Sequence, residues 1–424
     1  MKNKPQKTKN KDKRDKRDKR IKVLMLIPYL PYPPQSGGQT RSFNLIKHLS
    51  QSTDITLFSF IRSPVEKRQI THLKKYCRKI LTFDRGPTWS ARKILFTGFS
   101  PYAFLMSNYF SSTLKEEIRK ELDENHYDLI HAECFYLMPN LPKTKVPILL
   151  VDQTIEYAVY QHYVQESKGL KRLLKPLLWI DVLKLKHWEN HYWKQAYMVA
   201  GVSAEDHRLI SDSSQRSDVE IVPNGVSDHY FKKIDKPKST YPSILFGVAN
   251  YKWMQNTEAA QILLDKIWPH IQKKVPQARL FIIGRHAPEL FGQYRSKNII
   301  VKEAGRDGQK DDPQTYYSQS WLLLAPIKSG GGSRTKFFEA MACGLPIVTT
   351  TAGIEGINAK NGQEALVCKN NQELVNQALA LIKNRPLAQK IGENARNLAQ
   401  KQYDWKRSAL HLAQIYKRLA QTRT

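Results

Sequence analysis

Apolar residues in this chain come in short consecutive runs more often than in strict alternation, and stretches with helical spacing separate the runs. Unbroken apolar runs of this kind suit parallel strands buried on both faces. In the first half they predict strands at 22–27, 54–60, 79–84, 127–133, 147–153, 198–203 and 219–225. A second series follows at 243–249, 279–285, 298–305, 321–327, 345–351 and 364–369. Within it, NTEAAQILLDKIWPHIQKK predicts a helix with Asn256 as N-cap and Glu258 in the first turn. Two strand–helix series in succession predict two doubly wound α/β domains, over 21–225 and 240–400. The linker falls near 226–242, where SDHYFKKIDKPKSTYP loses periodicity. Ligands of such folds bind beyond the carboxyl ends of the strands, so with two domains the site belongs in the cleft between them.

Composition narrows the setting. The chain has 424 residues and four cysteines (Cys77, Cys134, Cys343, Cys368) at spacings that fit neither a disulfide framework nor a zinc site. Net charge is +30, of which +8 sits in the first twenty residues, MKNKPQKTKNKDKRDKRDKR, a tail with too few apolar residues to fold. The remaining +22 implies an anionic partner: phosphates, an acidic membrane surface or nucleic acid. The tail and the following IKVLMLIPYL look superficially like a signal peptide. Lys22, Pro28 and the lack of a small-residue cleavage site favour a first buried strand instead. With no long uncharged apolar stretch, the protein is expected in the cytoplasm, at most peripheral to the inner face of a membrane.

The most chemically suggestive segment is APIKSGGGSRTKFFEAMACGLP, at 325–346. It predicts a strand ending at Ile327, a glycine turn, a helix from about Ser333 to Cys343, and Gly344 as its C-terminal residue. A glycine turn entering a helix favours an anion, because unpaired N–H groups and the helix dipole face it and no Cβ obstructs approach. Arg334 and Lys336 add charge, which makes a diphosphate the natural guest. Neither the Walker loop nor the dinucleotide glycine fingerprint fits, since Thr335 stands where a third glycine is required. Glu339 is the one acid in an otherwise apolar stretch of helix, facing either solvent or the hydroxyls of a ligand.

SGGGSRTKFFEAMACGLPIVTTTAGIEGI resembles the donor-site signature of the family 4 (group 1) glycosyltransferases, whose fold is the two-domain GT-B type. The likeness extends to IPYLPYPPQSGGQTRSFNLIKHL, to IVPNGVSDHYF before the linker, to GVANYKWMQNTEAAQILL, and to YDWKRSALHLAQIY, which resembles the terminal helix (about 403–424) that packs back on the first domain. The resemblance implies a nucleotide-sugar donor of UDP or GDP type, a glycan or lipid-linked acceptor, retention of anomeric configuration, and no metal or other cofactor. It matches Glu339 to the ribose-holding glutamate, and puts Gly331 where the family has a sugar-contacting glutamate. Val248 stands at an expected arginine and Lys252 near an expected lysine, so Arg334 and Lys336 are expected to supply part of the missing phosphate charge.

The donor is therefore expected at Gly37, Gly38, Lys252, Gly284, Gly330, Gly331, Gly332, Ser333 and Glu339, with Glu133, Arg334 and Lys336 as catalytic groups. Glu133 replaces the second histidine of a family D-x-x-H-x-H segment, read here as DLIHAE, and either polarises a hydroxyl or is simply a strand-end residue. Arg41 and Glu156 are candidates for the acceptor or a phosphate, and Asp152 shares Glu156's strand end. No single general base stands out. The segment 168–197 is rich in leucine and lysine and reads either as an interfacial helix pair for anionic lipid or as a helix packed on the first domain, broken or kinked at Pro176. Another GT-B nucleotide-sugar enzyme (epimerase-like, or a phosphorylase), a catalytically dead binding module, and a polyanion-binding protein are the alternatives. Nucleic acid is not expected as a partner, because no recognition motif accompanies the dispersed charge.

Overall fold

The computed structural model describes residues 20–34, 36–166, 173–232, 239–304, 312–328 and 335–422. The first unit is a seven-stranded sheet in the order β3-β2-β1-β4-β5-β6-β7. Its strands are β1 (Ile21–Ile27), β2 (Thr53–Ile61), β3 (Lys79–Asp84), β4 (Leu129–Glu133), β5 (Ile148–Val151), β6 (Met198–Gly201) and β7 (Glu220–Ile221). The second sheet runs β11-β10-β8-β12-β13-β14, with β9 paired to β10. It comprises β8 (Ser243–Leu245), β9 (Ala249–Asn250), β10 (Arg279–Arg285), β11 (Ile299–Lys302), β12 (Leu322–Ala325), β13 (Ile347–Thr350) and β14 (Leu366–Cys368). Every pairing is parallel, as the continuous apolar runs require. Strand order reverses between β1 and β4 in one sheet and between β8 and β12 in the other, so crevices for ligands open at those two places.

Several strands are shorter than their apolar runs. The 198–203 run stops at Gly201 because Ser203 turns away to cap the next helix, accepting the Asp206 N–H at 3.1 Å. The 243–249 run breaks after Leu245, where Gly247 takes φ +107, and resumes as β9.

Seven helices bear on function: α1 (Gly37–Leu49), α2 (Ala91–Phe99), α3 (Glu156–Glu166), α4 (Lys175–Gln195), α5 (Met254–Ile262), α6 (Thr335–Ala342) and α7 (Trp405–Gln421). Pro176 lies in the first turn of α4 and opens that helix instead of kinking it, since no backbone N–H is needed there. Asn256 is not an N-cap: α5 starts two residues earlier and Trp253 flanks it, while the Asn256 side chain donates to the Asn250 carbonyl at 3.0 Å. Gly344 has φ +68, the left-handed turn expected after α6.

One hydrophobic core fills the second unit and two cover the faces of the first sheet. The face carrying Val23, Leu45 and Ile55 is closed by Trp405, Leu412, Ile415 and Tyr416 of α7, so the last helix completes the core of the first unit. The chain therefore crosses between units twice. At the crossings the Val226 N–H donates to the Tyr403 carbonyl at 2.7 Å, and Val226 forms a β-bridge with Asp404.

Candidate functional site

In the second sheet the crevice at β8 and β12 gathers two charged side chains from α6. Lys336 is buried, and its Nζ donates to Asn256 Oδ1 at 2.6 Å while lying 4.3 Å from the centre of the Phe246 ring. Gly247 makes this path available: a Cβ there would meet Lys336 Cβ at 3.2 Å. Its positive φ also sends the chain sharply off the end of β8. One helical turn on, half-buried Glu339 accepts the Tyr317 hydroxyl at 2.7 Å, and that hydroxyl accepts the Val248 N–H at 3.1 Å. Lys336 and Glu339 are thus fixed, a helical turn apart, against the residues that follow β8. A cation and a carboxylate held together at a strand-order reversal form a cradle suited to a phosphorylated polyol such as a nucleotide.

Other expected donor groups fall differently. Gly330, Gly331, Gly332, Ser333 and Arg334 lie outside the described residues. Lys252 is exposed, and the side chain entering the crevice beside β8 is Lys336. Gly284 has a packing reason of its own: with φ +144, a Cβ would stand 2.0 Å from the Ala249 carbonyl oxygen, so β9 can pair with β10 only past a glycine.

In the first sheet, where strand order reverses between β1 and β4, Tyr29, Gly38 and Gln153 meet over buried Glu133. Ser36 caps α1 by accepting the Gln39 N–H at 3.3 Å, which places Gly37 and Gly38 in the first turn. A Cβ on Gly38 would meet Tyr29 Oη at 2.2 Å and Gln153 Oε1 at 2.8 Å, so this glycine lets the helix seat against both. Tyr29 Oη is in turn 2.8 Å from Gln153 Nε2, which also donates to Glu133.

Glu133 and Arg41 are corrected by this geometry. Glu133 is 1% exposed, enclosed by Gln153, by His131 Nε2 at 3.5 Å and by Arg41 Nε at 3.7 Å. Burial opposes its charge, but Arg41, His131 and Gln153 outweigh that and hold its carboxyl below the usual range. A group so enclosed does not reach an acceptor hydroxyl; it anchors the network. Arg41 is equally enclosed and donates to the carbonyls of Val222 and Pro223 and to Asn224 Oδ1 at 2.9, 3.3 and 3.0 Å, so it clasps the segment leading out of the domain and is engaged within the protein, with Glu133 as its neighbouring anion. The same network extends to α7, where Tyr416 Oη lies 2.5 Å from His131 Nδ1.

Glu156 opens α3 beside two further carboxyls. Buried Glu189 caps that helix, accepting the N–H groups of Glu156 and Tyr157 at 2.7 and 2.8 Å. Asp152 accepts the Phe135 N–H at 2.8 Å and the Trp193 indole N–H at 2.6 Å. Burial, with Asp152 adding, pushes Glu156 up to about 8, and burial pushes Asp152 up to about 7. A carboxyl that keeps its proton offers a phosphate no positive charge, and one that loses it repels, so the expectation of a phosphate at Glu156 is withdrawn; the protonated carboxyl suits a hydroxyl. Among the described residues no group of three His, Cys, Asp or Glu side chains is arranged to hold a metal ion.

Residues 242–384 match the family described as Glycosyl transferases group 1. The match lies within the second unit. An uncharacterized glycosyltransferase of Methanocaldococcus jannaschii is 24% identical over 245 residues, 53% of this chain and 59% of the relative. Among solved structures, sucrose-phosphate synthase from Thermosynechococcus elongatus superposes with a TM-score of 0.67 at 16% identity, over 94% of this chain and 99% of the other. HepE of Anabaena, solved in complex with UDP and glucose, gives 0.61 at 14% identity, over 94% and 99%. The fold is accordingly the GT-B type shared by group 1 glycosyltransferases.

The matched region contains both Lys336 and Glu339. The positioning roles of Asn256, Gly247 and Tyr317 were missed in the sequence; the match of GVANYKWMQN to the family pointed to the neighbourhood of the first two and not to Tyr317. Tyr29 and Gln153 were missed as well, since nothing local marks a tyrosine and a glutamine that meet across 124 residues.

Proposed function

We propose that this protein moves a sugar from a nucleotide-diphosphate donor of UDP or GDP type to a hydroxyl of a glycan or lipid-linked acceptor, in glycan assembly at the cytoplasmic face of a membrane. The observation that carries this reading is the convergence of Lys336 and Glu339 on the end of β8. Lys336 and Arg334 would neutralise the diphosphate, and Glu339 would accept from the ribose hydroxyls. HepE, a neighbour in fold, is solved in complex with UDP and glucose, which supports a nucleotide-sugar ligand.

In the reaction, the bond from the sugar's anomeric carbon to the diphosphate oxygen breaks, and a bond to the acceptor oxygen forms on the same face. The acceptor's proton leaves with the departing diphosphate, whose developing charge is met by Lys336 and Arg334. Movement of the two units toward each other would exclude water and suppress hydrolysis. Retention and independence of metal follow from the family resemblance. They are tested together by turnover in the presence of a chelator, with the product anomer assigned by NMR. The donor is tested by calorimetry with UDP, GDP and their sugars; no binding by any nucleotide would overturn the reading.

A further inference from the structure

Helix α2 is built inside out. Its nine residues, ARKILFTGF, include four large apolar side chains, yet none of the nine is buried: Ile94, Leu95, Phe96 and Phe99 are 52%, 60%, 41% and 91% exposed. Polar groups hold the helix down instead. Lys93 Nζ reaches inward to the Pro87 carbonyl at 2.7 Å and Asn108 Oδ1 at 3.1 Å. From α4, Lys184 Nζ donates to the carbonyls of Thr97 and Ser100 at 2.6 and 2.7 Å, and Asp181 accepts the Phe104 N–H at 2.8 Å. Lysines facing in and leucines facing out is the reverse of what a water-facing helix does.

The helix that α2 is tied to continues the same surface. On α4, Leu177, Ile180 and Leu183 are spaced three apart and are 67%, 51% and 62% exposed. Of the seventeen exposed large apolar residues described, ten fall within 89–99 and 173–183. Such a concentration marks an interaction surface, whereas scattered exposed leucines would not. Its charge is one-sided: no Asp or Glu occurs from Arg85 to Lys115, and the only acid between Lys175 and Lys186 is Asp181, engaged at Phe104. Exposed Arg92 and Lys186 lie on the two helices.

We infer that the α2–α4 face inserts its apolar side chains into an anionic lipid bilayer, with Arg92 and Lys186 meeting the headgroups. Apolar side chains on a flat helical surface with only basic companions are matched by a bilayer's acyl boundary and phosphate layer. A lipid surface engaged here would bring a membrane-borne acceptor to the enzyme. The inference thus rests on the proposed reaction for its purpose, but its test is independent of it.

The full chain is centrifuged with phosphatidylcholine vesicles, with and without phosphatidylglycerol. Co-sedimentation with the anionic vesicles is expected. In the double variant Phe99→Asp/Leu183→Asp the bound fraction at limiting lipid should fall about tenfold or more, with UDP affinity unchanged. In the wild-type chain, lipids brominated in the acyl region should quench Trp89, which is 75% exposed beside α2, and the quenching should be lost in Trp89→Phe. The inference is overturned if the wild type stays in the supernatant, or if the Asp variant binds as well as wild type, which would assign binding to the basic tail. It is equally overturned if the chain is a dimer that Phe99→Asp dissociates, which would make the face a subunit contact. Loss of vesicle binding with UDP affinity kept bears on this surface alone, and loss of UDP affinity bears on the donor site.

Discussion

Asn256 and Tyr317 hold the two charged residues of the donor crevice from different elements, and the chemistry depends on both. Replacing Lys336 by Gln keeps a donor but removes the charge; nucleotide-diphosphate affinity measured by calorimetry should drop about tenfold to a hundredfold, the worth of a charge-assisted hydrogen bond. Nucleoside without phosphate should bind both proteins equally weakly. The carboxyl at Glu156 gives a prediction of another kind. In the folded chain it keeps its proton to about pH 8, whereas unfolded it releases it in the ordinary range near ~4.3. Between those values the unfolded state binds fewer protons, so this residue lowers stability as pH rises. Glu156→Gln, which cannot ionise, should match wild type near pH 4 and melt increasingly above it toward pH 8. The gain per pH unit is bounded by about 1.4 kcal/mol and reduced by whatever water reaches the exposed edge of this mostly buried group. Lys336 and Glu339 were legible in the sequence because one continuous motif carries them. Glu133 and Arg41 were misread because their residue types signal chemistry, and nothing local in the sequence states that both lie fully enclosed.

Among the elements, the strands were the most legible part, since an apolar run declares a buried strand whatever its neighbours. Their ends were less so, because a cap such as Ser203 or a left-handed glycine such as Gly247 cuts a run short. The helix read from Asn256 onward shows a subtler loss. It is continuous to Lys274 but changes at Leu263–Ile267 to a π-helical turn, in which the Trp268 N–H reaches the Leu263 carbonyl. Pro269, lacking an N–H, cannot continue the ordinary ladder there, and the wider turn absorbs the fault. The seat of α1 on the strand ends makes a direct prediction. Gly38→Ala places a methyl against Tyr29 Oη and Gln153, so Tyr29 must move off its partner. Thermal unfolding should show a loss of about 1–3 kcal/mol, the usual range for forcing a methyl into a packed contact.

At the level of the whole molecule, the second half of the chain finishes what the first half begins. Ending the chain after Asp404 would strip Leu412, Ile415, Tyr416 and Leu419 from the core of the first unit and leave His131 without its hydroxyl partner. Such a protein should lose cooperative unfolding of the first sheet while the second still melts as a unit, a difference that calorimetry resolves. Tyr416→Phe is the mild counterpart and should cost about 1 kcal/mol. The resemblance of YDWKRSALHLAQIY to a terminal family helix made this return visible in the sequence, whereas the exposed apolar surface of α2 and α4 was only half visible. The leucines and lysines of 175–195 announced it, but α2 did not, because a short apolar helix reads as core until its exposure is seen. The two crossings have a mechanical meaning. A single covalent thread between bodies acts as a swivel, free to spin as well as fold. Here the outgoing thread at Val226 and the returning thread at Tyr403 and Asp404 are laced to each other by a hydrogen bond and a bridge. A laced pair bends readily across its width but resists torsion, because twisting would pull the lacing apart. The two halves are therefore joined less like beads on a string than like the covers of a book, which open and shut along one spine.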